Sequence, residues 1–219
     1  MPRSAPILAC PLARPLAAVA VGLALTLGAS AAQPLAEPPP PIARFAAAVH
    51  HSGDAQGRAF AVLDKPAAHL WVFDRQGRLL GEAPVLLGAA RGDTAPADIG
   101  SRPLAHVLPH EKITSAGRYP TEPGRNTRGE DIVWLDYDAA LSMHRVRDVP
   151  GEERPARLST PSAADNRISF GCINLPPAFY ERTIAPLFRR RSGIVYVLPE
   201  TRAIEQVFPF ARGIALPPS

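Results

Sequence analysis

The stretch AFAVLDKPAAHLWVF, residues 59–73, decides the fold class. Its two short runs, Ala59-Phe60-Ala61-Val62-Leu63 and Leu70-Trp71-Val72-Phe73, are rich in aromatic and β-branched residues, as strands are. Asp64-Lys65-Pro66 between them reads as a turn. Asp74-Arg75-Gln76-Gly77 is a second turn and leads into a third strand over 78–87. Strands this closely spaced, with a turn signal after each, predict a mainly β domain: a β-sandwich or barrel-like sheet.

Working outward, 42–51 has the helical spacing Ile42, Phe45, Ala46, Val49, with Gly53 as a stop. Before it, QPLAEPPPP (33–41) is a proline-rich tether. The region 88–129 is punctuated by glycine and proline and reads as loop, with one strand near 104–108. Two apolar strands follow at 132–137 and 141–146, then a polar stretch at 147–167 that is long for a purely structural loop. The segment 168–175 contains a cysteine. Pro176-Pro177 opens a helix at 178–189, and 194–198 is a closing buried strand.

The N-terminus reads differently. Arg3 and Arg14 precede an apolar run at 16–27 that ends in Gly28-Ala29-Ser30-Ala31-Ala32. A basic segment, a short apolar core and a small-residue site are the marks of a secretory signal peptide, cleaved after Ala31 or Ala32. An uncleaved membrane anchor is the alternative. Cys10 lies before the apolar run and leaves with the signal. Cleavage lowers the formal charge from +4 to +2 and leaves 187 residues, a size for one domain with a core and a charge that supplies no footprint for nucleic acid. No membrane span is expected after cleavage.

The mature chain then keeps one cysteine, Cys172. In an oxidising compartment a lone thiol is an inert buried side chain, an intermolecular link or a reactive nucleophile. Its neighbours, Ser169-Phe170-Gly171-Cys172-Ile173-Asn174-Leu175, favour the last. Gly171 permits a tight turn and close approach of a substrate, and N–H groups near Cys172 can then face a developing oxyanion. A thiol with a pKa of about 8.5 needs a base, and the best placed is His144, on the strand Leu141-Ser142-Met143-His144-Arg145-Val146. A half-buried structural histidine is the bland alternative. His50, His51, His69, His106 and His110 lie elsewhere, and the scattered histidines make no metal-ligand spacing. No cofactor is called for.

The segment Ser169-Phe170-Gly171-Cys172-Ile173-Asn174 resembles the signature of the L,D-transpeptidases, the YkuD-type catalytic domain. Their pattern is a histidine, a variable stretch, then Ser/Thr-His-Gly-Cys, a hydrophobic residue, and Asn or Arg. His144 matches the upstream histidine, and Thr114-Ser115-Ala116-Gly117-Arg118-Tyr119 is similar to the family's Thr-Pro-Ala-Gly-Arg-Phe segment. The resemblance covers roughly 58–199. Two features depart from the pattern. Phe170 stands in place of a second histidine, and Cys172 follows His144 by 28 residues, several more than usual, with the surplus in 149–166.

The resemblance implies a YkuD-like β-sandwich with one or two short helices. It divides the chain into a signal peptide (1–32), a tether and short helix (33–57), a catalytic domain (58–200) and a C-terminal tail (201–219). It implies a periplasmic or envelope enzyme whose partners are peptidoglycan stem peptides. Cys172 is the nucleophile, His144 its base, and the Arg145 carbonyl the group that orients the imidazole. N–H groups around Gly171 and Cys172 bind the oxyanion, and Ser169 and Asn174 hold the turn. Arg125, Arg128, Arg145 and Arg147 are candidates for binding substrate carboxylates. Transfer to an amine makes a crosslink and transfer to water a carboxypeptidase. A non-catalytic wall-binding module is the reading from another class. Sortase-like and papain-like patterns fit less well.

Overall fold

The computed structural model describes residues 35–216. The expected signal peptide and Cys10 lie outside the described residues. Eleven strands are present among them: β1 (Phe60–Asp64), β2 (His69–Phe73), β3 (Leu79–Pro84), β4 (Leu87–Gly88), β5 (Gly117–Pro120), β6 (Glu122–Arg125), β7 (Asp131–Asp136), β8 (Leu141–Arg145), β9 (Arg167–Ser169), β10 (Ile173–Leu175) and β11 (Ile194–Val197). Helices are α1 (Pro40–Ser52), α2 (Arg154–Arg157), α3 (Pro177–Phe179) and α4 (Ile204–Val207), with α3 running into a π-helix at Tyr180–Arg189. The chain is therefore mainly β, with more helix than the one or two short segments expected.

In a five-stranded sheet of order β3-β2-β1-β11-β5 the three central strands are buried on both faces, which is why they read as continuous apolar runs. The pleat sends alternate residues of β1, β2 and β11 to opposite sides. Ala61, Leu63, Leu70, Val72, Val195 and Val197 enter a core shared with the second sheet, β10-β8-β7-β6, and with Tyr180, Ile184 and Phe188 of the π-helix. Phe60, Val62, Trp71, Phe73, Ile194 and Tyr196 enter a separate core on the other face. There they meet Ile42, Phe45 and Val49 of α1 together with Ile204, Phe208 and Ala211. Residues from 33–57 and 201–219 thus share a core with the strands between them, with the Phe45 and Phe208 rings edge to face at 5.1 Å.

The segment near 104–108 is not a strand. Leu104–His106 and Pro109–Glu111 are 3-10 turns, because Pro103 and Pro109 bracket the run and remove ladder donors. In the region read as loop, β5 and β6 do form strands, each at the edge of its sheet, where Pro120 and Pro123 are tolerated. The helix after Pro177 widens to a π-helix, closing with Arg190 N–H to the Ala185 carbonyl at 3.2 Å. Pro186 inside it would clash with the preceding turn of an α-helix, and the wider turn makes room for its ring. The cysteine segment 168–175 forms two strands, β9 and β10, separated at Phe170-Gly171-Cys172.

Lys65, read as a surface turn residue, is fully buried. Its ammonium donates to Asp93 at 2.7 Å, the Gly92 carbonyl at 2.5 Å and the Thr114 carbonyl at 3.2 Å, with Glu200 at 3.5 Å. Glu200 also accepts from Arg167 at 2.6 Å. One buried cation therefore ties the β1–β2 turn, the loop after β4, the approach to β5 and, through Glu200, the start of β9. Burial raises the Asp93 pKa, but the Lys65 ammonium, the Thr201 hydroxyl and the N–H groups of Glu200 and Thr201 outweigh it and hold the carboxyl well below the usual range. Glu200 is lowered too: burial raises it, and Arg167, the Gly92 N–H and Lys65 prevail.

Lys65→Met removes the cation between two buried carboxylates, leaving them only Arg167, Thr201 and backbone N–H donors, and is expected to destabilise the fold by about 3 kcal/mol in urea unfolding. Because the native pKa values lie below the unfolded ones, the cluster's contribution is present above about pH 4 and is lost as pH falls through the native values. Lys65→Met should therefore flatten the acid limb of the stability curve. A variant as stable as wild type, with the same acid limb, would contradict this account.

Candidate functional site

Strand β10 pairs with β8 in parallel, with Ile173 opposite Met143, Asn174 opposite His144 and Leu175 opposite Arg145. Alternation fixes the rest. Leu141, Met143, Ile173 and Leu175 point into the core, so Ser142, His144 and Asn174 share the other face, with Cys172 one residue before the ladder and beside Ser142. A cavity of about 200 Å³ opens on this face. Its polar side is His144, Arg147, Arg154, Ser169, Cys172 and Asn174, and its apolar wall is Ile99, Leu104, Val107, Ala139, Ala140 and Phe170.

The break between β9 and β10 is imposed from above. Gly171 has φ +134°, and a Cβ there would lie 2.8 Å from the Ile113 carbonyl oxygen. Gly88 is under the same segment, since a Cβ on it would lie 2.3 Å from the Lys112 carbonyl oxygen. The buried Thr114 stitches these together: its hydroxyl donates to the Gly171 carbonyl at 2.7 Å and accepts from the Gly88 N–H at 2.9 Å. From below, the Ser169 hydroxyl donates to the Cys172 carbonyl at 2.7 Å and accepts from the Gly171 N–H at 3.1 Å. Asn174 Nδ2 also donates to the Cys172 carbonyl, at 3.1 Å. The turn carrying the thiol is held at both of its carbonyls.

Cys172 is half-buried. Its sulfur lies 3.3 Å from the Ala140 carbonyl oxygen, to which the thiol donates, and 3.4 Å from Ser142 Oγ. His144 Nδ1 is 2.8 Å from the Arg145 carbonyl oxygen. That acceptor places the proton on Nδ1 and leaves Nε2 an acceptor, to which Asn174 Nδ2 donates at 3.4 Å. Burial pushes the Cys172 thiol up, but the nearby His144 ring and the hydroxyl and backbone of Ser142 together bring it below the ordinary value.

The structure brings Cys172, His144, Gly171, Ser169 and Asn174 together. Two roles change. The Gly171 N–H is engaged by Ser169 Oγ, so of the two expected oxyanion donors only the Cys172 N–H has no acceptor among the described residues. Arg145 contributes its carbonyl alone. Its guanidinium lies on the opposite face, donating to Glu181 at 2.6 Å and to Asp131 at 3.0 Å and covering the Tyr180 ring at 4.2 Å. Among the other arginines proposed for carboxylates, Arg147 lines the cavity and faces Glu130 at 3.6 Å. Arg125 and Arg128 are exposed and are not among the residues lining it.

The chain matches no protein-family model and none of the curated proteins. The site is therefore argued from its own geometry. Three lining or positioning residues were not singled out in the sequence. Ser142 sits two residues before His144, a period-2 signal that it shares the face. Thr114 lay in the Thr114–Tyr119 segment but carried no assigned role. Arg154 comes from the long polar loop, where no periodicity marks it, and donates to Asn174 Oδ1 at 3.2 Å.

A thiol lowered in this way alkylates faster near neutrality than a free cysteine, because more of it is thiolate. The rate of iodoacetamide modification at Cys172, followed against pH by peptide mass spectrometry, is expected to half-rise below about pH 8.5. Gly171→Ala, which drives a Cβ against Ile113, should return the half-rise toward the free-thiol value. A wild-type half-rise at or above the free-thiol value would contradict the arrangement.

Proposed function

We propose that the protein is an exported cysteine L,D-transpeptidase acting on peptidoglycan stem peptides, with a YkuD-like fold. The observation that carries this reading is a thiol on a clamped turn beside a histidine whose Nδ1 is fixed by a main-chain carbonyl. The signature-like run at 169–174 supplies the substrate class, and the signal-like segment at 1–32 supplies the periplasmic location. No helix among the described residues is long and apolar enough to cross a membrane.

In this mechanism His144 Nε2 takes the proton of Cys172, and the sulfur attacks the carbonyl of the L-centre diamino acid in a tetrapeptide stem. The tetrahedral oxyanion is met by the Cys172 N–H, a donor of a kind worth about 2.7–4 kcal/mol in a comparable hydrolase site. Collapse expels the terminal D-alanine, whose amine receives the proton from His144, and leaves a thioester on Cys172. An acceptor amine then attacks the thioester with His144 again as base, forming the crosslink and freeing the thiol. Water in place of the amine gives an L,D-carboxypeptidase. The cavity's mixed lining suits a peptide donor, with Arg147 and Arg154 on one side for carboxylates and an apolar wall opposite.

Mass spectrometry of disaccharide-tetrapeptide incubated with the protein tests the reading. A crosslinked dimer is expected from wild type and none from Cys172→Ala, and His144→Gln should lower the rate by about 10²–10⁴-fold. Loss of D-alanine without a dimer would make the enzyme a carboxypeptidase. No product would overturn the catalytic reading in favour of a wall-binding module, and equal product from Cys172→Ala would overturn the role of Cys172.

A further inference from the structure

We infer that Ser142 is a third catalytic residue, whose hydroxyl donates a hydrogen bond to the Cys172 thiolate and so shares with His144 the work of generating the nucleophile. This rests on the proposed role of Cys172 as the attacking group. The Ser142 side chain is only 3 % exposed, and its one polar partner among the described residues is Cys172 Sγ at 3.4 Å. A buried hydroxyl with a single partner is placed there for that partner or loses its hydrogen bond. Chance does not bring it there. The β8–β10 register sets Ser142 opposite Cys172 just as it sets His144 opposite Asn174, and the Gly171 clamp fixes the sulfur's height above the sheet.

The protonation states explain why a second donor is needed. In the resting thiol, S–H donates to the Ala140 carbonyl at 3.3 Å, and Ser142 is a bystander. When the proton passes to His144 Nε2, that bond is lost, and the thiolate, now an acceptor only, faces the carbonyl oxygen it formerly satisfied. The Ser142 O–H is the group positioned to turn and donate to the sulfur lone pair. After the sulfur forms its bond to the substrate carbonyl carbon, its charge is gone and the hydroxyl is released. Ser142 thus acts on the thiolate state alone and moves no proton itself.

The pH profile of Cys172 alkylation in the full-length chain, resolved from Cys10 by peptide mass spectrometry, tests this without any peptide substrate. For Ser142→Ala the half-rise is expected about one pH unit above wild type, as removal of a hydrogen bond to a charged group implies. Nucleophilicity rises with thiol pKa, so the high-pH plateau should increase about threefold while the rate below the half-rise falls about threefold. Because an unfolded chain would also titrate as a free thiol, the fold of each variant is confirmed by circular dichroism before its profile is read. Ser142→Thr, which keeps the hydroxyl, should follow wild type. If Ser142→Ala unfolds, Ser142→Gly is read in the same way. Superimposable profiles for wild type and the hydroxyl-free variant would overturn the role of Ser142. A wild-type half-rise at the free-thiol value would instead remove the activated nucleophile itself, so the two failures are distinguishable.

Discussion

The parallel pairing of β8 with β10 is the constraint on which the site depends. Because side chains alternate along a strand, one residue of slip would bury Ser142 and His144 and turn Leu141 and Met143 toward the cavity. The core forbids this: Leu141, Met143, Ile173 and Leu175 are all buried in one cluster with β1, β2 and β11. The outer edge of β10 is pinned as well, with Leu86 and Asn174 exchanging both backbone hydrogen bonds at 2.9 Å. The apolar halves of two short strands thereby fix the geometry of their polar halves. His144 and Asn174 sit on sheet rather than loop, which favours precise placement.

What the ladder cannot fix is the turn at Gly171, and here buried polar groups take over. Thr114 holds the Gly171 carbonyl through its side chain and accepts from Lys65 through its own carbonyl. Lys65 reaches Glu200, and Glu200 reaches Arg167, two residues before Ser169. Both flanks of the cysteine turn therefore trace back to one buried ammonium about which four loop or strand ends converge. Such a cluster is a costly way to gain stability, since hydrophobic packing does as well or better. It does give those segments one arrangement, and the proposed nucleophile needs that more than it needs tight packing.

Much of this was legible from residues alone. The run at 59–73 announced two strands, and the spacing of Ile42, Phe45, Ala46 and Val49 announced the buried stripe of α1. The lone cysteine after a glycine and the histidine on an apolar strand were found because chemistry restricts those residue types. Other features stayed hidden for physical reasons. Proline masked β5 and β6, because its penalty in a strand vanishes at a sheet edge. The apolar residues of 104–108 suggested a strand, yet Leu104 and Val107 serve as cavity wall. Lys65 looked like a solvated turn residue because nothing local reveals that Asp93 and Glu200, far along the chain, will close over it. The occupation of the Gly171 N–H by Ser169, and the turning of the Arg145 guanidinium to the far face, are likewise set by three-dimensional packing.

The account's central claim is that Cys172 becomes acylated by its substrate. The most direct measurement is the intact mass of the protein mixed with disaccharide-tetrapeptide and quenched in acid within the first turnovers, followed by peptide mapping. The account predicts a mass gain equal to the donor minus D-alanine, confined to the peptide containing Cys172, cleaved by hydroxylamine and absent in Cys172→Ser. Product formation with no adduct on Cys172, or an adduct on another residue, would contradict it.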